Sequence, residues 1–242
     1  MALPRTSNGT VVCKEQIDKD LLLISVKVDR KLPKFRPGQF AHISTDEYSA
    51  EKRWPTSRVF SVANFTDGYM FDFLISRQGQ FTSLLIDNVE VGRRIAVRGP
   101  YGNFEIDEDN KHIVLICGGS GISAFSAFFE KLLADDKVAN FSKVTLLYGA
   151  REKKLLSYRT IINQLQLKHD WFHAYYFVEG IQKDVDEYIA GRPNLSYVID
   201  SCFDEHSQFY ISGGKKMIDH YKIKLSKEFS ICEDRIMIDA WE

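Results

Sequence analysis

The feature that most constrains the fold is a change of pattern near residue 107 of the 242-residue chain. Before it, six short apolar or alternating runs are separated by Gly, Pro and Asp, which is typical of an antiparallel barrel. After it, apolar strands alternate with helical segments, which indicates a parallel sheet with helices on both faces. The acidic stretch 107–111 lies at the change. We therefore predict a six-stranded antiparallel β-barrel over residues 1–106, followed by an α/β domain over residues 107–242.

Apolar periodicity places the individual elements. In the barrel we predict strands at 11–12, 21–28, 40–44, 58–63, 69–76 and 94–97, and one helix at 81–89. In the α/β domain we predict strands at 112–117, 143–149, 172–178, 208–212 and 235–239. The helices between them are predicted at 122–134, 154–167, 185–190 and 215–227.

Composition excludes several classes of protein. Lys and Arg number 32 against 33 Asp and Glu, so the net charge of −1 gives no reason to expect a nucleic-acid partner. No apolar run reaches the roughly 18 residues of a membrane span, and the first ten residues lack a signal-peptide segment. The four cysteines are scattered, which excludes a disulfide scaffold and an iron–sulfur motif and predicts a cytoplasmic location. They are Cys13, Cys117, Cys202 and Cys232.

Two pairs of residues have the spacing of metal ligands, namely His169 with His173 and Cys202 with His206. Neither pair has further ligands nearby in the sequence, so we predict no metal site.

A glycine-rich loop follows the predicted strand 112–117. It reads Gly118-Gly119-Ser120-Gly121-Ile122-Ser123-Ala124, which from Gly119 is G-x-G-x-x-A. A strand, such a loop and a helix N-terminus together offer backbone N–H groups to a pyrophosphate. The alternative is a turn whose glycines only let helix and strand pack closely. An ordinary NAD site also needs an acid at the end of the second strand, but 147–151 contains none, so the architecture differs from that fold.

The segment "RVFSVAN" at 58–64 resembles the R-x-[Y/F]-S motif of the ferredoxin–NADP reductase superfamily of flavoproteins, in the version found in reductase components of bacterial oxygenases. Further matches follow in the expected order along the chain. They are 79–85 for the flavin phosphate, 99–104 for the end of the barrel, 118–123 for the nucleotide loop and 147–151 after the second strand. The ending at 233–242 is similar to that of bacterial NAD(P)H:flavin reductases.

The resemblance implies a flavin site in the barrel. Arg58 would bind the flavin phosphate or ribityl chain, Phe60 would cover one face of the isoalloxazine, and the Ser61 hydroxyl would hydrogen-bond flavin N5. Thr82 and Ser83 would bind the phosphate at a helix N-terminus. The full implied set is Arg58, Val59, Phe60, Ser61, Gly79, Phe81, Thr82 and Ser83.

The resemblance also implies a site for the nicotinamide nucleotide. Its residues would be Gly119, Ser120, Gly121, Ile122, Arg151, Glu179, Gly213, Met217 and Trp241. Ser212 stands where many relatives have a cysteine beside the nicotinamide, and Trp241 would cover the face where the nicotinamide docks. With Ser61, these two residues form the implied catalytic set.

Glu179 follows the third strand of the α/β domain, where a carboxylate favours an unphosphorylated ribose and so NADH. A solvent-facing loop glutamate is the alternative, and Arg151, Lys153 and Lys154 keep NADPH open as the hydride donor.

Together these features predict a flavin-dependent NAD(P)H oxidoreductase that passes hydride from nicotinamide to flavin N5, with FAD rather than FMN as the flavin. Electrons would then go to a protein acceptor such as an iron–sulfur protein or an oxygenase. One alternative is a flavin reductase that releases free reduced flavin. A second is an FAD-binding electron-transfer or regulatory subunit without enzymatic activity.

Overall fold

The computed structural model describes residues 3–135, 141–198 and 207–239. The chain forms two compact units. The first contains the residues up to Glu105 together with Ser126–Phe128, and the second contains Ile106–Phe125 and the residues from Phe129 onward. Within the described ranges, no helix is long and apolar enough to cross a membrane.

The first unit is built on one antiparallel sheet. Its strands are β1 (Arg5–Asp18), β2 (Leu21–Val28), β3 (Phe40–Ser44), β4 (Ser57–Ser61), β5 (Met70–Ser76) and β6 (Arg94–Tyr101), with one helix, α1 (Gln80–Asn88). The strand order is β4-β3-β6-β1-β2-β5. The Ala63 N–H bonds to the Asp72 carbonyl at 2.8 Å, which joins the two edges of the sheet. The predicted six-stranded antiparallel barrel is confirmed, and it is nearly closed.

Strand β1 is far longer than the two residues predicted for it. It pairs with β6 through Arg5–Thr10 and with β2 from Gly9 to Asp18, and a register shift lies between Val11 and Cys13. Much of the strand is only half-buried, and most of its residues are polar. The apolar pattern therefore indicates only the centre of the strand. Buried aliphatic residues and rings such as Phe71 and Phe73 fill the barrel interior.

The second unit is a parallel sheet with helices. Its strands are β7 (His112–Gly118), β8 (Lys143–Ala150), β9 (Phe172–Val178), β10 (Tyr188–Ala190), β11 (Gln208–Ser212) and β12 (Ile236–Asp239), in the order β10-β9-β8-β7-β11-β12. The helices are α2 (Ser123–Ala134), α3 (Arg159–Lys168) and α4 (Lys215–Glu228). Strands β7 and β8 are almost wholly buried, which explains their continuous apolar runs. The predicted α/β architecture is confirmed.

The helix predicted at 185–190 is wrong. Tyr188–Ala190 is the edge strand β10, which pairs with β9 in parallel through Tyr188 and Tyr176. The preceding turn is held by the Asp184 carboxylate, which accepts a hydrogen bond from the Ala190 N–H at 2.8 Å. Pairing with β9 supplies backbone hydrogen bonds that so short a helix could not make for itself.

The helix predicted at 154–167 begins later than expected. A short 3-10 turn occupies Lys153–Leu155, and α3 starts at Arg159. Between them Tyr158 has a φ of 61°, in the left-handed region, so the chain cannot continue as one helix.

Candidate flavin and nucleotide sites

Strand β4 carries a buried hydroxyl that no group in the described part of the chain hydrogen-bonds. Ser61 is 2% exposed, and its Oγ has no hydrogen-bond partner among the residues that the structure describes. An unsatisfied buried hydroxyl costs roughly 1–3 kcal/mol, so such a group is kept where a ligand completes it. The preceding Phe60 is 8% exposed and packs in the barrel core. The Ser61 hydroxyl is therefore free to hydrogen-bond a ligand.

Arg58 lies in the same strand and is exposed. Its guanidinium carbon is 5.5 Å from the centroid of the Phe81 ring, a cation–π contact that brings together two residues of the implied flavin set. Its Nη1 donates to the Ser57 carbonyl at 2.8 Å, and within residues 3–135, 141–198 and 207–239 it makes no ion pair. The remaining N–H donors of its fork suit a phosphate.

The start of α1 gives its two hydroxyl residues different surroundings. Thr82 Oγ1 accepts hydrogen bonds from the backbone N–H groups of Gln78 and Gly79, at 2.8 and 3.1 Å, and donates to the Gly79 carbonyl. Its hydroxyl therefore closes the helix end. Ser83 is half-buried, and its hydroxyl makes no hydrogen bond within the described part of the chain. Of the two side chains, Ser83 has the hydroxyl available for a phosphate.

The glycine loop at the end of β7 combines close packing with an open side. Gly119–Ile122 form a 3-10 turn that leads into α2. A side chain at Gly121 would meet the carbonyl oxygen of Ser212 and lie 2.6 Å from its carbonyl carbon. At Gly119, φ is +55°, and apart from its chain neighbours no described residue has an atom within 4 Å of the position that a side-chain carbon would take. One glycine thus permits close packing, and the other leaves space for a ligand.

Tyr148 packs against the same loop. This fully buried residue accepts a hydrogen bond from the Ser157 N–H at 3.0 Å, and its hydroxyl lies 3.3 Å from the carbonyl oxygens of Gly119 and Leu155. Burial raises the pKa of the Tyr148 hydroxyl well above its ordinary value, so it acts as a neutral hydrogen-bonding group. Ser123 adds a bond to the Ser120 carbonyl at 2.8 Å.

Met217 and Gly213 complete this cluster. A side-chain carbon at Gly118 would lie 2.5 Å from Met217 Sδ, and one at Gly213 would lie 3.0 Å from the same sulfur. The structure therefore brings Gly213 and Met217, both in the implied nucleotide set, against the glycine loop.

Ser212 hydrogen-bonds a carboxylate that the sequence did not indicate. Its Oγ lies 3.0 Å from Asp239 Oδ2, and both residues are buried. They are opposite one another at the carboxyl ends of β11 and β12. The partner went unnoticed because this register is not visible in a single sequence. Trp241 lies outside the described residues.

The carboxyl ends of β8 and β9 hold Arg151 and Glu179. The Glu179 N–H bonds to the Ala150 carbonyl at 3.0 Å, and the Gly180 N–H bonds to the Arg151 carbonyl at 2.9 Å. The Glu179 carboxylate also pairs with Arg192, with Nε and Oε2 3.0 Å apart. Arg192 was missed because it follows the segment that was predicted as a helix.

The two lysines considered for NADPH have other contacts. Lys153 Nζ lies 4.4 Å from the centroid of the Tyr188 ring, and Lys154 Nζ lies 3.5 Å from Glu152 Oε2. Arg151 is exposed and makes no ion pair within the described ranges, so it is the cation of this group without a protein partner.

No three or more His, Cys, Asp or Glu side chains are grouped to hold a metal ion in the ranges that the structure describes. Cys202 and His206 fall outside those ranges.

Family models match both domains. Residues 8–106 match the oxidoreductase FAD-binding domain, and residues 115–222 match the oxidoreductase NAD-binding domain. The chain therefore carries an FAD-binding oxidoreductase domain followed by an NAD-binding oxidoreductase domain, both of the ferredoxin reductase-like type. This confirms the predicted family, together with FAD and NADH or NADPH as the cofactors.

Individual relatives are distant. The chain is 23% identical over 213 residues to the xylene/toluene monooxygenase electron transfer component of Pseudomonas putida, covering 81% of this chain and 58% of that protein. It is 26% identical over 191 residues to a flavohemoprotein of Rhizobium meliloti, covering 74% of this chain and 46% of the relative. The chain thus spans about half the length of the curated relatives that it matches.

Solved structures share the fold. A cytochrome P450 reductase from Amycolatopsis superposes with a TM-score of 0.82 at 21% identity, over 99% of this chain and 70% of the other. The FAD/NAD-binding domain of a nitric oxide dioxygenase from Vibrio cholerae gives 0.80 at 20% identity, over 96% and 97%. These findings support a reductase module and do not favour the alternative that releases free flavin.

Proposed function

We propose that this chain is a reductase module that oxidises NADH or NADPH and delivers electrons to a separate acceptor protein. When bound, FAD supplies the chemistry of accepting hydride at N5 and releasing electrons one at a time. The observation that carries the proposal is the buried Ser61 hydroxyl, which has no partner among the described residues and lies on the strand that also holds Arg58. The acceptor belongs to the class of iron–sulfur proteins or oxygenases, since the P. putida relative is an oxygenase electron transfer component.

Each residue of the flavin set has a proposed task. Ser61 fixes the flavin ring through its hydroxyl, and Arg58 and Ser83 bind the phosphate. Phe60 packs in the barrel core, so it reaches the flavin only through the small part of its ring that is exposed. Thr82 caps α1, whose first-turn N–H groups have no partners within the helix. Val59, Gly79 and Phe81 shape the site around them.

The nucleotide set is proposed to work mainly through its backbone. Gly119, Ser120, Gly121 and Ile122 face the pyrophosphate at the start of α2, while Gly213, Met217 and Ser212 lie beside the nicotinamide. Trp241 keeps its proposed place over the nicotinamide face. We place the boundary between the flavin and nucleotide domains at residues 106 and 107, and we propose a cytoplasmic location because the cysteines are scattered.

The test begins with the flavin content of the purified protein. Acid release and chromatography should give FAD at about one per chain, and anaerobic NADH should bleach the flavin absorbance. Electrons should then pass to a one-electron acceptor such as cytochrome c while the flavin stays bound through gel filtration. Recovery of FMN alone, or no flavin after FAD is added, would count against the proposal and favour a free-flavin reductase. Bound FAD that neither nucleotide reduces would favour a regulatory subunit.

A further inference from the structure

Three charged residues follow the carboxyl ends of neighbouring strands in the parallel sheet, and the side chains of two of them, Glu179 and Arg192, form an ion pair. Arg151, Glu179 and Arg192 follow the carboxyl ends of the adjacent strands β8, β9 and β10. In parallel α/β sheets, ligands bind at the carboxyl ends of the strands. The two guanidinium groups and one carboxylate of these three residues sum to a charge of +1.

The backbone around Arg192 is fixed on both sides. The Gly191 N–H bonds to the Val178 carbonyl at 3.0 Å, and the Tyr221 hydroxyl donates to the Pro193 carbonyl. Pro193 also packs against Gly149, where a side-chain carbon would lie only 2.6 Å from the proline ring. Arg192 is therefore held at the end of β9 rather than on a loosely attached loop.

The pair between Arg192 and Glu179 is open to water. The Arg192 side chain is 79% exposed and that of Glu179 is 41% exposed. Within the described part of the chain, Nε is the one nitrogen of Arg192 that hydrogen-bonds the carboxylate, and its two terminal nitrogens make no hydrogen bond. An exposed ion pair of this kind is weak and exchanges readily for a better partner.

We propose that Arg192 is a specificity-determining residue of the nucleotide site and that it allows the chain to use NADPH as well as NADH. With NADH, Arg192 orients the Glu179 carboxylate toward the ribose hydroxyls. With NADPH, its guanidinium exchanges the carboxylate for the 2′-phosphate, an anion that a planar fork binds well. The inference rests on the proposed nucleotide site.

The test measures binding of the adenosine half alone, so it needs no flavin chemistry. Calorimetry on the full chain compares 5′-AMP with adenosine 2′,5′-bisphosphate, which differ only in the 2′-phosphate. The wild type should bind both, with affinities within about tenfold. Arg192→Ala should weaken bisphosphate binding about tenfold and change 5′-AMP binding less than threefold, while Arg192→Lys should retain part of the difference.

A second variant distinguishes direct binding from charge alone. Glu179→Gln should tighten bisphosphate binding severalfold because it releases Arg192, and this gain should disappear in the Glu179→Gln, Arg192→Ala double variant. Lys222→Ala removes another exposed ion pair of the same domain, with Glu233, and serves as the matched control that should leave both affinities unchanged. kcat/KM for NADPH over NADH should follow the bisphosphate results.

The outcomes separate this inference from the function that it builds on. If the wild type binds both nucleotides and Arg192→Ala leaves their ratio unchanged, or weakens both equally, Arg192 is not the selector and the nucleotide site stands. If the wild type binds neither nucleotide, the proposed nucleotide site fails, and the inference fails with it.

Discussion

Strand β4 and the glycine loop after β7 differ in how many of their polar groups are bonded to other groups of the protein. In β4, the Ser61 hydroxyl is buried without a protein partner, and Arg58 makes no ion pair among the described residues. In the loop after β7, Tyr148 and Ser123 hydrogen-bond the backbone, and Gly121 packs directly against the end of β11.

The difference indicates two modes of binding. The polar side chains of β4 that lack a partner among the described residues are available to a ligand. A ligand that bonds them stabilises the barrel when it binds. The loop after β7 is held by hydrogen bonds to its own backbone and by the close packing of Gly121 against Ser212. Substitutions in the first region should therefore act on the ligand, and substitutions in the second should act on the fold.

The largest effect is expected from Gly121→Ala. Its new methyl group would lie 2.6 Å from the Ser212 carbonyl carbon and 2.8 Å from the Gly213 nitrogen, which are backbone atoms that cannot turn aside. We expect a loss of about 3 kcal/mol in the unfolding free energy of the nucleotide domain, the upper part of the usual range for overpacking. Urea unfolding followed by tryptophan fluorescence measures it, and NADH binding should fall with it.

Gly214→Ala is the matched control. Apart from its chain neighbours, no described residue has an atom within 4 Å of a side-chain carbon at Gly214. Its φ of −66° suits any residue, so the loss should stay below about 1 kcal/mol. Equal losses in the two variants would show that the close approach to Ser212 does not hold the loop.

Much of this contrast could be predicted from local sequence. The strand before the glycine loop, the helix after it and the strand with Arg58 and Ser61 each depend on short patterns of apolar residues and glycine. The same patterns placed Glu179 at the end of a strand. These features are local, because neighbouring residues determine them.

The missed features depend on strand pairing between distant parts of the chain. Asp239 reaches Ser212 because β12 pairs with β11, and Arg192 reaches Glu179 because β10 pairs with β9. Periodicity reports which face of a strand is buried, but it does not report which strand lies beside it. The role of Thr82 was equally hidden, since its cap depends on the turn geometry at Gly79.

The next largest effect is expected at Arg58, on strand β4. Arg58→Ala should leave stability nearly unchanged, because the side chain is exposed and has no ion pair within the described residues. It should weaken FAD binding by about 1.5–3 kcal/mol, or roughly 10- to 150-fold in Kd. Flavin titration of the apoprotein checks this, with exposed Lys27→Ala on β2 as the control. Unchanged FAD affinity would remove Arg58 from the flavin site.

Ser61→Ala is expected to raise the unfolding free energy of the protein, unlike most substitutions of a buried polar residue. Deleting a buried hydroxyl that has no partner within the described ranges should stabilise the flavin-free protein by about 1–2 kcal/mol, while slowing reduction of bound flavin by NADH. Ser44→Ala on β3 is the control, since its equally buried hydroxyl accepts a hydrogen bond from the Asp46 N–H at 3.1 Å and its loss should destabilise. Urea unfolding of both apoproteins gives the two signs, and a destabilised Ser61→Ala protein would contradict an unused hydroxyl.

The smallest effects are expected from the two hydroxyl residues at the start of α1. One of these hydroxyls is hydrogen-bonded to the protein and the other is not, although both lie within one helical turn. Thr82→Ala removes the acceptor for the Gln78 and Gly79 N–H groups, so stability should fall by about 1 kcal/mol while FAD affinity changes little. Ser83→Ala should do the reverse, leaving stability unchanged and weakening FAD binding by about 1 kcal/mol, because its hydroxyl makes no hydrogen bond within the described residues. Thr82→Ser should restore stability, since it keeps the capping oxygen.

Measuring both the unfolding free energy and the flavin Kd of each variant shows which hydroxyl caps the helix and which binds the phosphate, because one hydroxyl cannot do both equally well. If Thr82→Ala weakened FAD binding more than Ser83→Ala did, the phosphate would lie on the capping side of the turn, and the division between the two residues would be reversed.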